Sequence, residues 1–230
     1  MNPLRFDFIQ SLLPRTAQNA RLYSYLDIGC GGGIFASACA RHPLTSSVTA
    51  IDPTPACIEA AQAHQRTDPA IAPPKLTYLN AAIESLPADA DGNTQQYDII
   101  TLFEVLEHIT SPSEFLAAAA KHLKPGGWIV GSTIARSSMS FITTKLIAEA
   151  PIIGVVPAGT HDWNQYINPG ELRAWFEKSS EWNSFTTQGV VYVPGLGWKV
   201  VPGSEGWGNY FFGVQKLPLV EGSGDASPNT

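Results

Sequence analysis

The chain has 230 residues, with 14 basic and 20 acidic side chains and a net charge of −6. That length suits one domain with additions and a substantial core. The acidic balance, without any run of lysine or arginine, excludes nonspecific nucleic-acid binding, which needs a basic face to displace counterions from phosphates.

No apolar run reaches the ~18 residues of a membrane span. Three cysteines (Cys30, Cys39, Cys57) with neither metal-ligand spacing nor an even count fit a reducing compartment. Met1-Asn2-Pro3-Leu4-Arg5 has the pattern of neither a signal peptide nor an Arg- and Ser-rich mitochondrial presequence. Tyr23–Ile28 reads as the first strand, followed by a turn with four glycines in five residues and a helix over Ile34–Arg41. Ser47–Ile51 is the second strand and ends at Asp52. Helices follow at Pro55–Gln65, Pro112–His122 and Pro169–Lys178, and strands at Leu76–Leu79, Tyr97–Leu102, Trp128–Thr133, Phe185–Tyr192 and Tyr210–Gln215. Thr54-Pro55 and Asn168-Pro169 both read as an N-cap with proline at the first helical position. The alternation predicts an α/β, Rossmann-like fold, a mostly parallel seven-stranded sheet with helices on both faces and its ligand at the strands' carboxyl ends. The domain spans 1–216, with a polar surface loop at 89–96 and an apolar insertion at 137–167. The composition of 217–230 predicts a disordered tail. The insertion, broken by Pro151, has two readings: a buried helix on the sheet, or an apolar flap over the substrate mouth or on a membrane.

The turn Leu26-Asp27-Ile28-Gly29-Cys30-Gly31-Gly32-Gly33 lets a ligand approach the backbone closely, and Asp52 stands where an acid accepts hydrogen bonds from ribose hydroxyls. A nucleoside-bearing cofactor follows. A dinucleotide turn needs a third glycine where Ile34 stands, and a P-loop needs a lysine that is absent. Aspartate two residues before the first glycine resembles the first motif of S-adenosylmethionine-dependent methyltransferases.

After the fourth strand comes Phe103-Glu104-Val105-Leu106-Glu107-His108. If Glu104 opens a helical turn, Glu107 and His108 lie one turn above it on the same face. The three would then hold one divalent cation that binds a catechol and lowers the pKa of its attacking hydroxyl. The other reading makes the acids part of a helix start and the histidine part of the sheet's packing. Mg²⁺ is the foremost candidate ion, although a histidine ligand also admits Mn²⁺, Co²⁺ or Zn²⁺.

Asn2-Pro3-Leu4-Arg5, the glycine turn, Glu104-Val105-Leu106-Glu107-His108, Leu123-Lys124-Pro125-Gly126-Gly127, Val156 to Trp163, Pro169-Gly170-Glu171-Leu172 and Asn209-Tyr210 occur in that order. The set, from Asn2 to about Lys216, resembles the ubiquinone-biosynthesis O-methyltransferases, bacterial and mitochondrial. The resemblance implies a methyltransferase fold and methylation of polyprenylated dihydroxybenzoate and demethylubiquinol at a catechol hydroxyl. It implies S-adenosylmethionine contacts at Arg5, Gly29, Asp52 and Phe103, and divalent-metal ligands at Glu104, Glu107 and His108. It further implies a flap at 137–167 meeting the membrane, a ubiquinone-biosynthesis protein complex as partner, and the matrix side of the mitochondrial inner membrane, or otherwise the cytoplasm. No general base is identified; His161 stands equally as a proton acceptor or a loop hydrogen-bonder.

Three features depart from the family. The chain begins inside the Asn-Pro-Leu-Arg motif, as a truncated form or a short paralogue with a more open cofactor pocket would. Ala158 replaces the lysine of Pro-Lys-Gly-Thr-His, and Tyr192-Val193-Pro194 stands for Tyr-Asn-Pro. Two other functions are therefore carried alongside: a metal-independent small-molecule methyltransferase and a non-catalytic, methyltransferase-like scaffold.

Overall fold

The computed structural model describes residues 1–14, 21–86, 93–137 and 165–218. Among them, the strands are β1 (Tyr23–Ile28), β2 (Thr45–Asp52), β3 (Leu76–Asn80), β4 (Tyr97–Phe103), β5 (Leu123–Ile134), β6 (Trp182–Val193), β7 (Gly197–Val200) and β8 (Asn209–Lys216). They form one sheet in the order β3-β2-β1-β4-β5-β8-β6-β7. β3 to β5 are parallel, whereas β8 runs antiparallel to both β5 and β6. The α/β class stands as the sequence predicts. Eight strands replace the predicted seven, because the chain after β6 turns back through Gly195 and Gly197, both at positive φ, and pairs as β7. That strand is too short to show a periodicity in sequence. β5 also starts earlier than predicted, with Leu123–Gly127 absorbed by a register shift against β4.

Side chains alternate between two apolar clusters. Tyr25, Ile99, Phe103 and Phe211 face α1 (Asn2–Leu12), α2 (Ile34–Arg41) and α3 (Pro55–Gln65). Leu26, Ile100, Leu102 and Phe212 face α4 (Pro112–Lys121) and α5 (Pro169–Glu177). β4 is buried along its whole length, as a central strand covered on both faces must be. The sequence pattern predicts no element before Tyr23, yet α1 docks there, with Phe8 stacked 5.4 Å from Phe211. Asn168 begins α5 as predicted, its N–H donating to Glu171 at 2.9 Å. Thr54 makes no side-chain cap on α3; Asp52 accepts the Thr54 N–H instead.

The insertion predicted as a flap lies outside the described residues except at its ends, and His161 and most of the tail lie outside them entirely. No described helix is long and apolar enough to cross a membrane.

Candidate functional site

β1 ends at Ile28, and Gly29 turns the chain at φ 69°. A Cβ on Gly29 would sit 2.6 Å from Val105 Cγ2, so both backbone angle and space demand glycine there. At the neighbouring strand end Asp52 is buried. Its Oδ2 accepts the Gly31 N–H and its Oδ1 the Thr54 N–H, each at 2.9 Å. These bonds orient the carboxylate and leave each oxygen a second lone pair. Gly29, Asp52, Ala82, Ile83, Val105 and His108 border a cavity of about 370 Å³. This is the carboxyl end of β1, β2 and β4, where open α/β sheets bind ligands.

α1 brings Arg5 to the same end. Its guanidinium lies 4.6 Å from the Phe103 ring centroid, and it donates to Glu104 Oε1 and Asn2 Oδ1 at 3.2 Å each. Its Nε is buried without a hydrogen-bond partner among the described residues. Phe103 itself is packed against Phe35 at 4.7 Å and serves as the platform beneath Arg5. Arg5, Phe103 and Glu104 thus form one contiguous group, and Gly29, Asp52, Glu104 and His108 line one cavity.

Sequence reasoning assigns no role to Asp27. It is buried, and Thr101 Oγ1 donates to its Oδ1 at 2.7 Å while Oδ2 has no partner among the described residues. Burial pushes its pKa up to about 7, opposed by the Thr101 bond and Arg5 and reinforced by Asp52. The signal in the sequence is its place two residues before Gly29, near the end of a strand that stops at a ligand.

The three expected metal ligands lie together at the end of β4, with Glu104 and His108 on one cavity and the charge of Glu104 reaching Glu107, but they are not arranged as a ready three-ligand group. Glu104 is not helical: its φ is +61°, and its N–H bonds Ser132 O at 3.0 Å. Leu106–His108 is a tight 3₁₀ turn. Glu107 is buried, its Oε2 accepting from Thr133 at 2.9 Å, with its pKa pushed up to about 7 by burial. Glu104 instead pairs with Arg5, and His108 is exposed. Among the described residues no group of three His, Cys, Asp or Glu side chains is placed to hold an ion. The one-turn helical spacing assumed from sequence fails because the chain leaves β4 through a left-handed residue.

A methyltransferase domain family matches residues 1–179. The ubiquinone biosynthesis O-methyltransferase of Albidiferax ferrireducens is 35% identical over 216 residues, covering 94% of this chain and 79% of that protein. The chain belongs to the ubiquinone biosynthesis O-methyltransferase family. The mitochondrial member from Candida albicans is 40% identical over 84% of this chain, and the chain spans 58% of that protein's length. Among solved structures, the plantazolicin methyltransferase BpumL in complex with SAH superposes with a TM-score of 0.63 at 14% identity, covering 94% of this chain and 85% of that one. A SAM-dependent methyltransferase from Methanosarcina mazei gives 0.61 at 18% identity, covering 92% and 97%. At those identities the likeness is one of fold.

Proposed function

We propose that this chain transfers a methyl group from S-adenosylmethionine to a hydroxyl of a polyprenylated catechol in ubiquinone biosynthesis. The observation that carries the reading is the pair of buried, unpartnered polar atoms of opposite character, Arg5 Nε and Asp27 Oδ2, beside the glycine turn. The cofactor supplies a methyl on a sulfonium, already electrophilic. Arg5 would hold its carboxylate, Asp52 its ribose hydroxyls, and Ile83 and Val105 would wall the adenosine from water. The Gly29 turn allows that approach without a side chain in the way.

Glu104, Glu107 and His108 do not fit a preformed cation site: Glu104 would have to release Arg5, and Glu107 to leave Thr133. The proposed reaction therefore routes no step through an ion. The names of the fungal relatives support a mitochondrial location, and the substrate's tail supports delivery at a membrane surface. Four exposed apolar side chains, Ile34, Tyr192, Leu196 and Trp207, sit at the carboxyl end of the sheet and are consistent with that surface. In the apolar insertion, Ile152→Asp with Ile153→Asp should reduce vesicle cosedimentation while a tail-less catechol is still methylated.

Calorimetric titration with S-adenosylmethionine, before and after dialysis against a chelator, tests the reading. One site of equal affinity in both preparations is expected. Absence of binding would overturn it.

A further inference from the structure

We propose a second ligand site at the opposite end of the sheet from the glycine turn, a groove suited to an aromatic anion. Its ligand is a planar ring system carrying a carboxylate, sulfonate or phosphate. β8 runs antiparallel to β5, so its last residue, Lys216, lies near the amino ends of β4 and β5, paired with Trp182 of β6. With the ends of α4 and α5 these residues border a cavity of about 420 Å³, within the roughly 300–1,000 Å³ of small-ligand sites. Trp175 and Trp182 supply its aromatic wall. One buried ring holds both indoles, because Phe176 packs edge-on against Trp175 at 4.8 Å and Trp182 at 5.0 Å. A ring entering the groove therefore meets aromatic surface that is already ordered, and little side-chain freedom is lost on binding.

The charge of the groove decides the sign of the ligand. Lys121, Lys178 and Lys216, three of the seven lysines in the chain, border it. None of them has a carboxylate partner among the described residues. Lys216 donates to the carbonyl oxygens of Ala120 at 3.0 Å and Leu123 at 3.4 Å, which fixes its ammonium in place. Lysines here also answer the dipoles of α4 and α5, but two helix ends carry only about one negative charge between them, and Glu181 adds one more. A cationic surplus remains in a chain whose net charge is −6. The groove takes no part in the reaction proposed above, and a ligand there leaves the cofactor cavity open.

The test is fluorescence titration of the full chain with 8-anilinonaphthalene-1-sulfonate, an aromatic anion that brightens when it leaves water. Neutral N-phenyl-1-naphthylamine, which has the same rings without the sulfonate, is the control. The sulfonate should bind at a saturable site, and added salt should weaken it. Lys121→Glu with Lys178→Glu should lower its affinity roughly tenfold and leave that of the neutral compound unchanged. Trp175→Ala should weaken both compounds alike, since it removes ring surface and no charge. Leu196→Ser with Trp207→Ser, at the other end of the sheet, should leave the sulfonate's affinity as it was. Sulfonate affinity that survives the lysine reversals, or that disappears with Leu196 and Trp207, would overturn the proposal. So would an equal loss of both compounds in the lysine variant. Methyl transfer and cofactor binding are measured separately, and neither result depends on these outcomes.

Discussion

Arg5 and Glu104 are 99 positions apart and meet at 3.2 Å, with the guanidinium laid over Phe103. The contact joins α1 to the end of β4, so the first turn of the chain becomes one wall of the ligand end of the sheet. Arg5→Ala should weaken S-adenosylmethionine binding by ~1.5–3 kcal/mol, the range for hydrogen bonds to a charged group. Arg5→Lys should recover only part, since an ammonium cannot reproduce the planar fork. Unchanged affinity by calorimetry in Arg5→Ala would remove Arg5 from the site.

Gly29 is held to its identity by angle and by space. Gly29→Ala should destabilise the fold by about 1–3 kcal/mol, from the left-handed backbone and the Val105 methyl together. Adding Val105→Ala should recover some of that loss, because it removes the atom 2.6 Å away. Urea denaturation of the single and double variants measures both. Additive losses would mean that the clash contributes nothing.

Asp52 has a structural duty as well as a binding one. Asp52→Ala leaves the Gly31 and Thr54 N–H groups without their acceptor. The apo protein should lose about 1–3 kcal/mol, and cofactor affinity should fall by a similar amount. A variant that loses affinity at full stability would show that these backbone bonds are replaced by water.

Much of the architecture was readable because the strands around the site are uniformly apolar and bounded by glycine, proline or acid, as Tyr97–Phe103 and Asp52 show. The glycine turn and Asp52 were readable from spacing alone. What escaped depends on partners distant in sequence. α1 has weak amphipathicity and is fixed by Phe211, over 200 positions on. β7 exists only as a pairing partner of β6. The unpaired oxygen of Asp27 requires knowing that Thr101 occupies the other one. The helical turn assumed for Glu104 to His108 is absent for a local reason, the positive φ of Glu104, which no residue type there announces.

Asp27 makes stability depend on pH. Its folded pKa of about 7 lies above the ordinary value of 3.8, so the unfolded carboxyl loses its proton first. Between those values the folded state binds more protons, and the stability of the unliganded protein should fall as pH rises through that window. The expected loss is on the order of a few kcal/mol, since a tenfold change in proton affinity corresponds to about 1.36 kcal/mol. Asp27→Asn should show a shallower decline, the remainder coming from Glu107, whose carboxyl burial also pushes up to about 7, and be the more stable form at pH 8. Parallel stability curves for the two proteins between about pH 4 and pH 8 would contradict the buried, proton-holding state.

The most direct measurement is methyl transfer itself. The chain is incubated with methyl-labelled S-adenosylmethionine and a polyprenylated catechol presented in vesicles, and the products are separated and analysed by mass spectrometry. The account predicts label on a catechol oxygen and stoichiometric S-adenosylhomocysteine, both reduced in Arg5→Ala at limiting cofactor. Cofactor that binds while its label never leaves it, with long-tailed and tail-less catechols alike, would contradict the account and leave a binding fold without the reaction.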